Sequence, residues 1–168
     1  FQTHTIVKDL GLKPLLMTYH GNNYLPEGDY NRDMMRKNFN ADHIVWGPSV
    51  EVLKKLNRIG FRKMGDMNWQ NHCGIMTAPI ILAEKFKIPL IIWGAHQGLE
   101  QVGMVSHNSK IQMSRWYRTS HDLMGREAES LVQFSNTLGE GDVAPFFYPS
   151  QHDIQAKGIR GIYLGNYI

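Results

Sequence analysis

Ile88-Pro89-Leu90-Ile91-Ile92-Trp93-Gly94 is the stretch on which the fold turns. Its apolar residues run consecutively, so the strand they predict is covered on both faces, as in parallel sheets flanked by helices. Gly94 ends the run, and Ala95-His96-Gln97-Gly98-Leu99-Glu100 follows as a polar, glycine-loosened rim. Open parallel sheets bind ligands outside the carboxyl ends of their strands. The rim after Trp93 is therefore the first place to look for function.

Working outward, the same grammar recurs. Upstream, Gly74 to Lys87 predicts a helix with Ile75, Ala78, Ile81, Leu82 and Phe86 on one face, preceded by an irregular polar stretch from Gly65 to Cys73. Ser49 caps a helix carrying Val50, Leu53, Leu56 and Ile59 at helical spacing. Asp42–Trp46 and Pro14–Tyr19 predict two further strands, separated by a helix expected from Asp29 to about Asn38. Ile6, Val7 and Leu10 form a short helical face closed by Gly11. Downstream the pattern is less regular. Lys110–His121 and Gly125–Thr137 read as helices, Ala144–Pro149 as an aromatic turn, and Gly158–Ile168 as a last strand. Strands alternating with helices predict a parallel sheet with right-handed crossovers. The loop 97–108 divides a nucleotide-type α/β unit, residues 1–104, from a smaller appended region, 105–168.

Composition narrows the function classes. Apolar residues make up 42% and charged residues 20%, a globular balance. Eighteen basic residues against 15 acidic leave a mild positive charge without a dense Lys/Arg stripe. That tolerates an anionic ligand such as a nucleotide or nucleotide-sugar but does not argue for nucleic acid. The single cysteine, Cys73, excludes an intrachain disulfide and any multi-cysteine zinc site. No apolar run is long enough for a membrane span and no signal-peptide pattern opens the chain, so a cytoplasmic location is expected. Phe1 stands within a helical pattern and Tyr167-Ile168 directly after a strand-like one, which reads as a segment of a longer protein.

Three places carry candidate chemistry. Thr18-Tyr19-His20-Gly21-Asn22-Asn23, after one strand, offers hydroxyls, an imidazole and amides. Gly94 and Gly98 permit close backbone approach, while His96 offers an imidazole and Glu100 a carboxylate. Glu100 either holds phosphate-bound Mg²⁺ or is a solvated helix-start residue favoured by the dipole. Trp69, His72 and Cys73 precede the expected helix start at Gly74, where free N–H groups face an anion. Cys73 is either a reactive thiol activated by that terminus or, as a lone cysteine more often is, a small buried apolar residue. His20, His72 and His96 lack His-x-x-x-His spacing, so no zinc site is expected. Arg115, Arg118 and Arg126, near Trp116 and Tyr117, either meet a phosphate or a partner or form a solvated helix face.

The strings Gly65-Asp66-Met67-Asn68-Trp69-Gln70-Asn71-His72-Cys73-Gly74-Ile75-Met76-Thr77-Ala78-Pro79 and Lys87 through Gly94 resemble the N-acetyl sugar amidotransferases. So do Leu15 through Asn23 and Gly158 through Ile168, and the resemblance runs in order along nearly the whole chain. It implies a PP-loop ATP pyrophosphatase with a Rossmann-like three-layer α/β/α sandwich of the adenine nucleotide α-hydrolase type. It also implies conversion of an acetamido group on a nucleotide-sugar into an acetamidino group, in O-antigen or flagellar sugar synthesis. ATP with Mg²⁺ would activate the amide oxygen as an adenylate, and a separate glutamine amidotransferase subunit would supply ammonia.

By the same resemblance, Thr18, Tyr19, His20 and Gly21 face adenine and ribose, Gly94, His96 and Glu100 meet phosphate and metal, and Trp69, His72 and Cys73 stand on the sugar side. Gln97 departs from a more acidic run in relatives. The family's Ser-Gly-Gly-x-Asp-Ser phosphate loop and its cysteine cluster do not occur in these 168 residues, so the first strand and loop are missing and this stretch alone is not expected to turn over ATP. A tRNA-thiolation or lysidine-type PP-loop enzyme and a non-catalytic nucleotide-binding subunit are the alternatives.

Overall fold

A computed structural model describes the whole chain except Asn22, Asn23 and His107, and of Glu100 the backbone alone. The chain is mixed α/β, about 54% helix, with two small parallel two-stranded sheets. It divides into two compact units, Phe1–Gly47 and Pro48–Ile168. The boundary expected near residue 104 falls inside the second.

The first unit opens with a short helix, α1 (Gln2–His4), continued by a π turn over Thr5–Asp9. Strand β1 (Leu15–Tyr19), helix α2 (Pro26–Asn38) and strand β2 (Asp42–Trp46) then make a βαβ unit. The strands are parallel and in register from Leu15 against Asp42 to Tyr19 against Trp46. Helix α2 starts three residues earlier than expected. Pro26 occupies its first turn, where the missing N–H costs nothing, so Asp29 lies inside the helix and not at its cap. Glu27 and Asp29 in the first turn and Arg36 and Lys37 in the last complement the helix dipole. Past the ladder, His20 N donates to Trp46 O at 2.6 Å. This closeness dictates the next residue: a Cβ on Gly47 would stand 2.2 Å from His20 O.

In the second unit, α3 (Val50–Met64) starts at Ser49, whose hydroxyl accepts from Val52 N, as its N-cap role requires. Its inner face is Leu53, Leu56 and Gly60, close to the face read from the sequence, though Val50 is exposed. Helix α4 (Trp69–Phe86) begins at Trp69, not Gly74. Asp66 accepts from Asn68 N at 2.7 Å and turns the chain into it. The buried residues of α4 include Trp69, Cys73, Thr77, Ile80 and Ala83, whereas Ile75 and Phe86, expected on the apolar face, are exposed.

Strand β3 (Leu90–Trp93) and the short α5 (Gln97–Glu100) follow. The expected helices over 110–121 and 125–137 are broken into shorter pieces. These are α6 (Arg115–Tyr117), a π turn over Arg118–Asp122 and a 3-10 segment over Ala128–Phe134. Residues 110–114 stay outside the first piece, and positive φ at Met124 and Gly125 delays the second to Ala128. After these come α7 (Glu140–Val143), a 3-10 turn over Ala144–Phe146, α8 (Gln151–Ala156) and β4 (Arg160–Tyr163).

Strands β3 and β4 pair in parallel, Leu90 with Arg160 through Trp93 with Tyr163. Ile80 and Ala83 of α4 share a core with Tyr148, Ile154 and Ile159, against which Ile88, Ile91 and Met113 lie. Two ion pairs fasten the helices: Lys157 to Glu84 at 2.6 Å and Lys55 to Asp142 at 4.0 Å. The expectation that the strand within 88–93 is covered on both faces is not met: Leu90 is 41% exposed. Parallel pairing is present, but as two separate ladders.

Candidate functional site

The second unit holds a cleft of about 440 Å³ at the carboxyl ends of β3 and β4. Trp93 and Ala95 come from one strand end and Tyr163 from the other. The Trp93 and Tyr163 rings, register partners across the ladder, stack with centroids 6.5 Å apart and planes 25° from parallel. His72, Ile75 and Met76, on the open face of α4, form another wall, and Met124 adds a further apolar surface. Gly165 lets the strand ends close up, because a Cβ there would lie 2.8 Å from Ala95 O.

Besides the Tyr163 phenol, four ionisable groups line this space as two pairs, Asp66 with His72 and Asp122 with His121. In the first, His72 Nδ1 is 3.7 Å from Asp66 Oδ2, beyond hydrogen-bond reach. In the second, His121 Nδ1 is 2.9 Å from Asp122 Oδ1. The other oxygen of Asp122 accepts from Gln101 Nε2 at 3.5 Å, and Gln101 Oε1 accepts from Gln97 Nε2 at 3.2 Å. Both glutamines are fully buried, so the carboxylate is held from behind by an amide chain. The buried indole Nε1 of Trp93 has no hydrogen-bond partner among the described residues. A buried donor left this way costs about 1–3 kcal/mol.

Behind the cleft lies a buried charge network. Arg118 Nη2 donates to Thr77 Oγ1 at 2.8 Å and to Cys73 Sγ at 3.3 Å, while Nη1 donates to Glu127. Its guanidinium lies 4.7 Å from the Tyr148 ring centroid. Burial opposes the charge on Glu127, yet the Thr119 hydroxyl and the Arg118 guanidinium together hold its carboxyl below the usual range. Arg118 opens the π turn that ends in His121 and Asp122, so this network anchors the segment bearing the dyad.

No family model and no curated protein matches this chain. The site therefore stands on its geometry.

Of the residues expected on the sugar side, the cleft includes His72. Trp69 and Cys73 point elsewhere, because α4 begins at Trp69 and turns both into its packing. Trp69 Nε1 donates to Arg126 O at 3.2 Å, and Cys73 Sγ donates to Phe146 O at 3.7 Å. Burial pushes the Cys73 thiol up to about 12, so it is no poised nucleophile at neutral pH. Native protein at pH 8 is expected to resist iodoacetamide while denatured protein reacts fully. Rapid native labelling, followed by mass spectrometry, would refute this burial.

Gly94 lies between the cleft residues Trp93 and Ala95, and His96 is exposed before α5. The Glu100 side chain, like Asn22 and Asn23, lies outside the described residues. Among the described residues no three His, Cys, Asp or Glu gather as a metal-binding group, and no helix is long and apolar enough to cross a membrane.

In the first unit, Thr18 Oγ1 is hydrogen-bonded to His43 Nε2 at 2.9 Å. Burial, with the Arg32 and Arg36 charges adding to it, holds the His43 imidazole below its usual range. Tyr19 is buried against Trp46, ring centroids 5.3 Å apart, and its carbonyl accepts from the Tyr24 hydroxyl at 3.1 Å. His20 meets the Tyr24 ring edge-on at 4.6 Å, and Arg32 lies 4.0 Å over that ring. Gly21 is buried. The sequence reading named Thr18, Tyr19, His20 and Gly21 but missed His43, Tyr24 and Arg32. In the second unit it missed Asp66, Gln101, His121, Asp122 and Tyr163. An adjacent His-Asp pair is a local signal of the dyad, but His152-Asp153 carries it as well, so it does not single out His121 and Asp122.

Proposed function

We propose that the chain is the central part of an ATP-dependent N-acetyl sugar amidotransferase, turning an acetamido group of a nucleotide-sugar into an acetamidino group for surface-polysaccharide synthesis. The observation that carries this reading is the cleft at the β3 and β4 ends. A stacked aromatic pair suits the apolar face of a sugar ring. The finer fold that goes with the reading is a Rossmann-like three-layer sandwich of the adenine nucleotide α-hydrolase type, supported by parallel pairing within each unit.

The chemistry follows from the weakness of an amide as an electrophile. Attack of the amide oxygen on the α-phosphorus of ATP·Mg²⁺ releases pyrophosphate and leaves an imidate carrying AMP. Ammonia, supplied by a glutamine amidotransferase partner, then forms the new C–N bond as the C–O bond to AMP breaks. Gly94 and His96 are proposed on the phosphate side and His72 on the sugar side. Mg²⁺ arriving on phosphates needs only one or two protein carboxylates, for which Glu100 is proposed.

A protein carrying this chain behind a phosphate loop, given ammonia, ATP·Mg²⁺ and an N-acetylated UDP-sugar, is expected to form AMP, pyrophosphate and an amidine. Formation of ADP and phosphate instead would overturn the adenylation route.

A further inference from the structure

Of the two imidazole–carboxylate pairs in the cleft, only one has the geometry of a working base. Asp122 holds His121 Nδ1 at 2.9 Å, which fixes the ring and leaves Nε2 as the nitrogen able to accept a proton. His72, 3.7 Å from Asp66 and about half exposed, lacks that constraint. Within the dyad the accessibilities are graded. The His121 side chain is 33% exposed and Asp122 16%, with the buried Gln101 and Gln97 behind them. An imidazole open to a ligand, backed by a carboxylate that buried amides immobilise, is the arrangement in which a neutral base becomes a stabilised cation. The other titratable groups lining the cleft are Asp66, His72 and the Tyr163 phenol.

We propose that His121 is the proton acceptor of this cleft, with Asp122 as its positioning residue and Gln101 holding Asp122. The inference rests on the amidotransferase reading and deepens it. As the ammonia lone pair adds to the imidate carbon, whose nitrogen has kept the amide hydrogen and its positive charge, and AMP leaves with the C–O pair, the new nitrogen carries a positive charge beyond the one that the amidinium product retains. It gives one proton to His121 Nε2. The imidazolium, balanced by Asp122, then releases that proton to solvent.

The test uses His121→Asn, which retains a donor toward Asp122 but takes no proton, in the protein carrying a phosphate loop. With rates referred to free NH₃, kcat is expected to fall roughly 100-fold or more while KM for the sugar moves little. The pH profile of kcat should differ between wild type and the variant. Asp122→Asn should lower kcat with His121 intact, by favouring the wrong tautomer. Independently of turnover, long-range ¹H–¹⁵N spectra of this chain should show neutral His121 protonated on Nδ1. An unprotonated Nδ1 would overturn the inference, as would an active wild type matched by His121→Asn in kcat and pH profile. A wild-type protein that forms no amidine would instead overturn the amidotransferase reading, and the ammonia step with it.

Discussion

Replacing Arg118 with alanine is expected to lower the stability of the second unit by about 3–5 kcal/mol, the usual cost of breaking a buried ion pair from one side. Arg118 is 1% exposed, and its guanidinium serves Glu127, Thr77 and Cys73 while lying over Tyr148. Alanine would leave Glu127 partly buried, with Arg115 Nε at 3.3 Å and the Thr119 hydroxyl as its remaining partners. The pH dependence follows from the depressed carboxyl of Glu127. Its contribution is present above the unfolded-state value near 4.5 and is lost as pH falls through the lower folded value. Urea melts of wild type and Arg118→Ala should therefore differ most near neutral pH and converge in acid. A double variant, Arg118→Met with Glu127→Gln, should recover much of the loss, because neither buried charge remains. Equal midpoints for wild type and Arg118→Ala at pH 7 would show that the network carries no such weight.

Trp69→Ala should be comparably damaging, about 3–5 kcal/mol, since it empties the largest fully buried side chain in the second unit. Trp69→Phe keeps most of the ring volume and loses chiefly the hydrogen bond to Arg126 O, worth about 1 kcal/mol. The phenylalanine variant separates packing from recognition. It should bind an N-acetylated UDP-sugar as wild type does, while melting measurably lower. Loss of sugar affinity at unchanged stability would restore Trp69 to the acceptor side.

Strands β1 and β3 were legible as apolar runs, and β2 from Ile44-Val45-Trp46 closed by Gly47, whereas β4 fills only Arg160–Tyr163 of the strand expected over 158–168, a 3-10 turn over Leu164–Asn166 ending it. The start of α4 was not legible. Asn68-Trp69-Gln70-Asn71-His72 has no apolar period, and its helix is nucleated by Asp66 and sustained by burial of Trp69, Gln70 and Asn71. Tertiary contact there outweighs local pattern. The same reason moved Trp69 and Cys73 inward and left His72 on the open face. Beyond residue 105, positive φ at Met124 and Gly125 delays the second of the two expected helices to Ala128. In the candidate site, the β3 rim was readable from strand and glycine alone. The His121–Asp122 dyad was not, because a carboxylate gains meaning only from Gln101 and Gln97 packed behind it.

The pairing of Leu90 with Arg160 also sets an order in time. Asp66 and Tyr163, on opposite margins of the cleft, come from near the two ends of the second unit. During synthesis β3 emerges well before its partner strand exists, and closing so long an intervening segment carries an entropic cost. The cleft is therefore expected to be among the last features formed. A chain interrupted before Tyr163 therefore lacks the cleft.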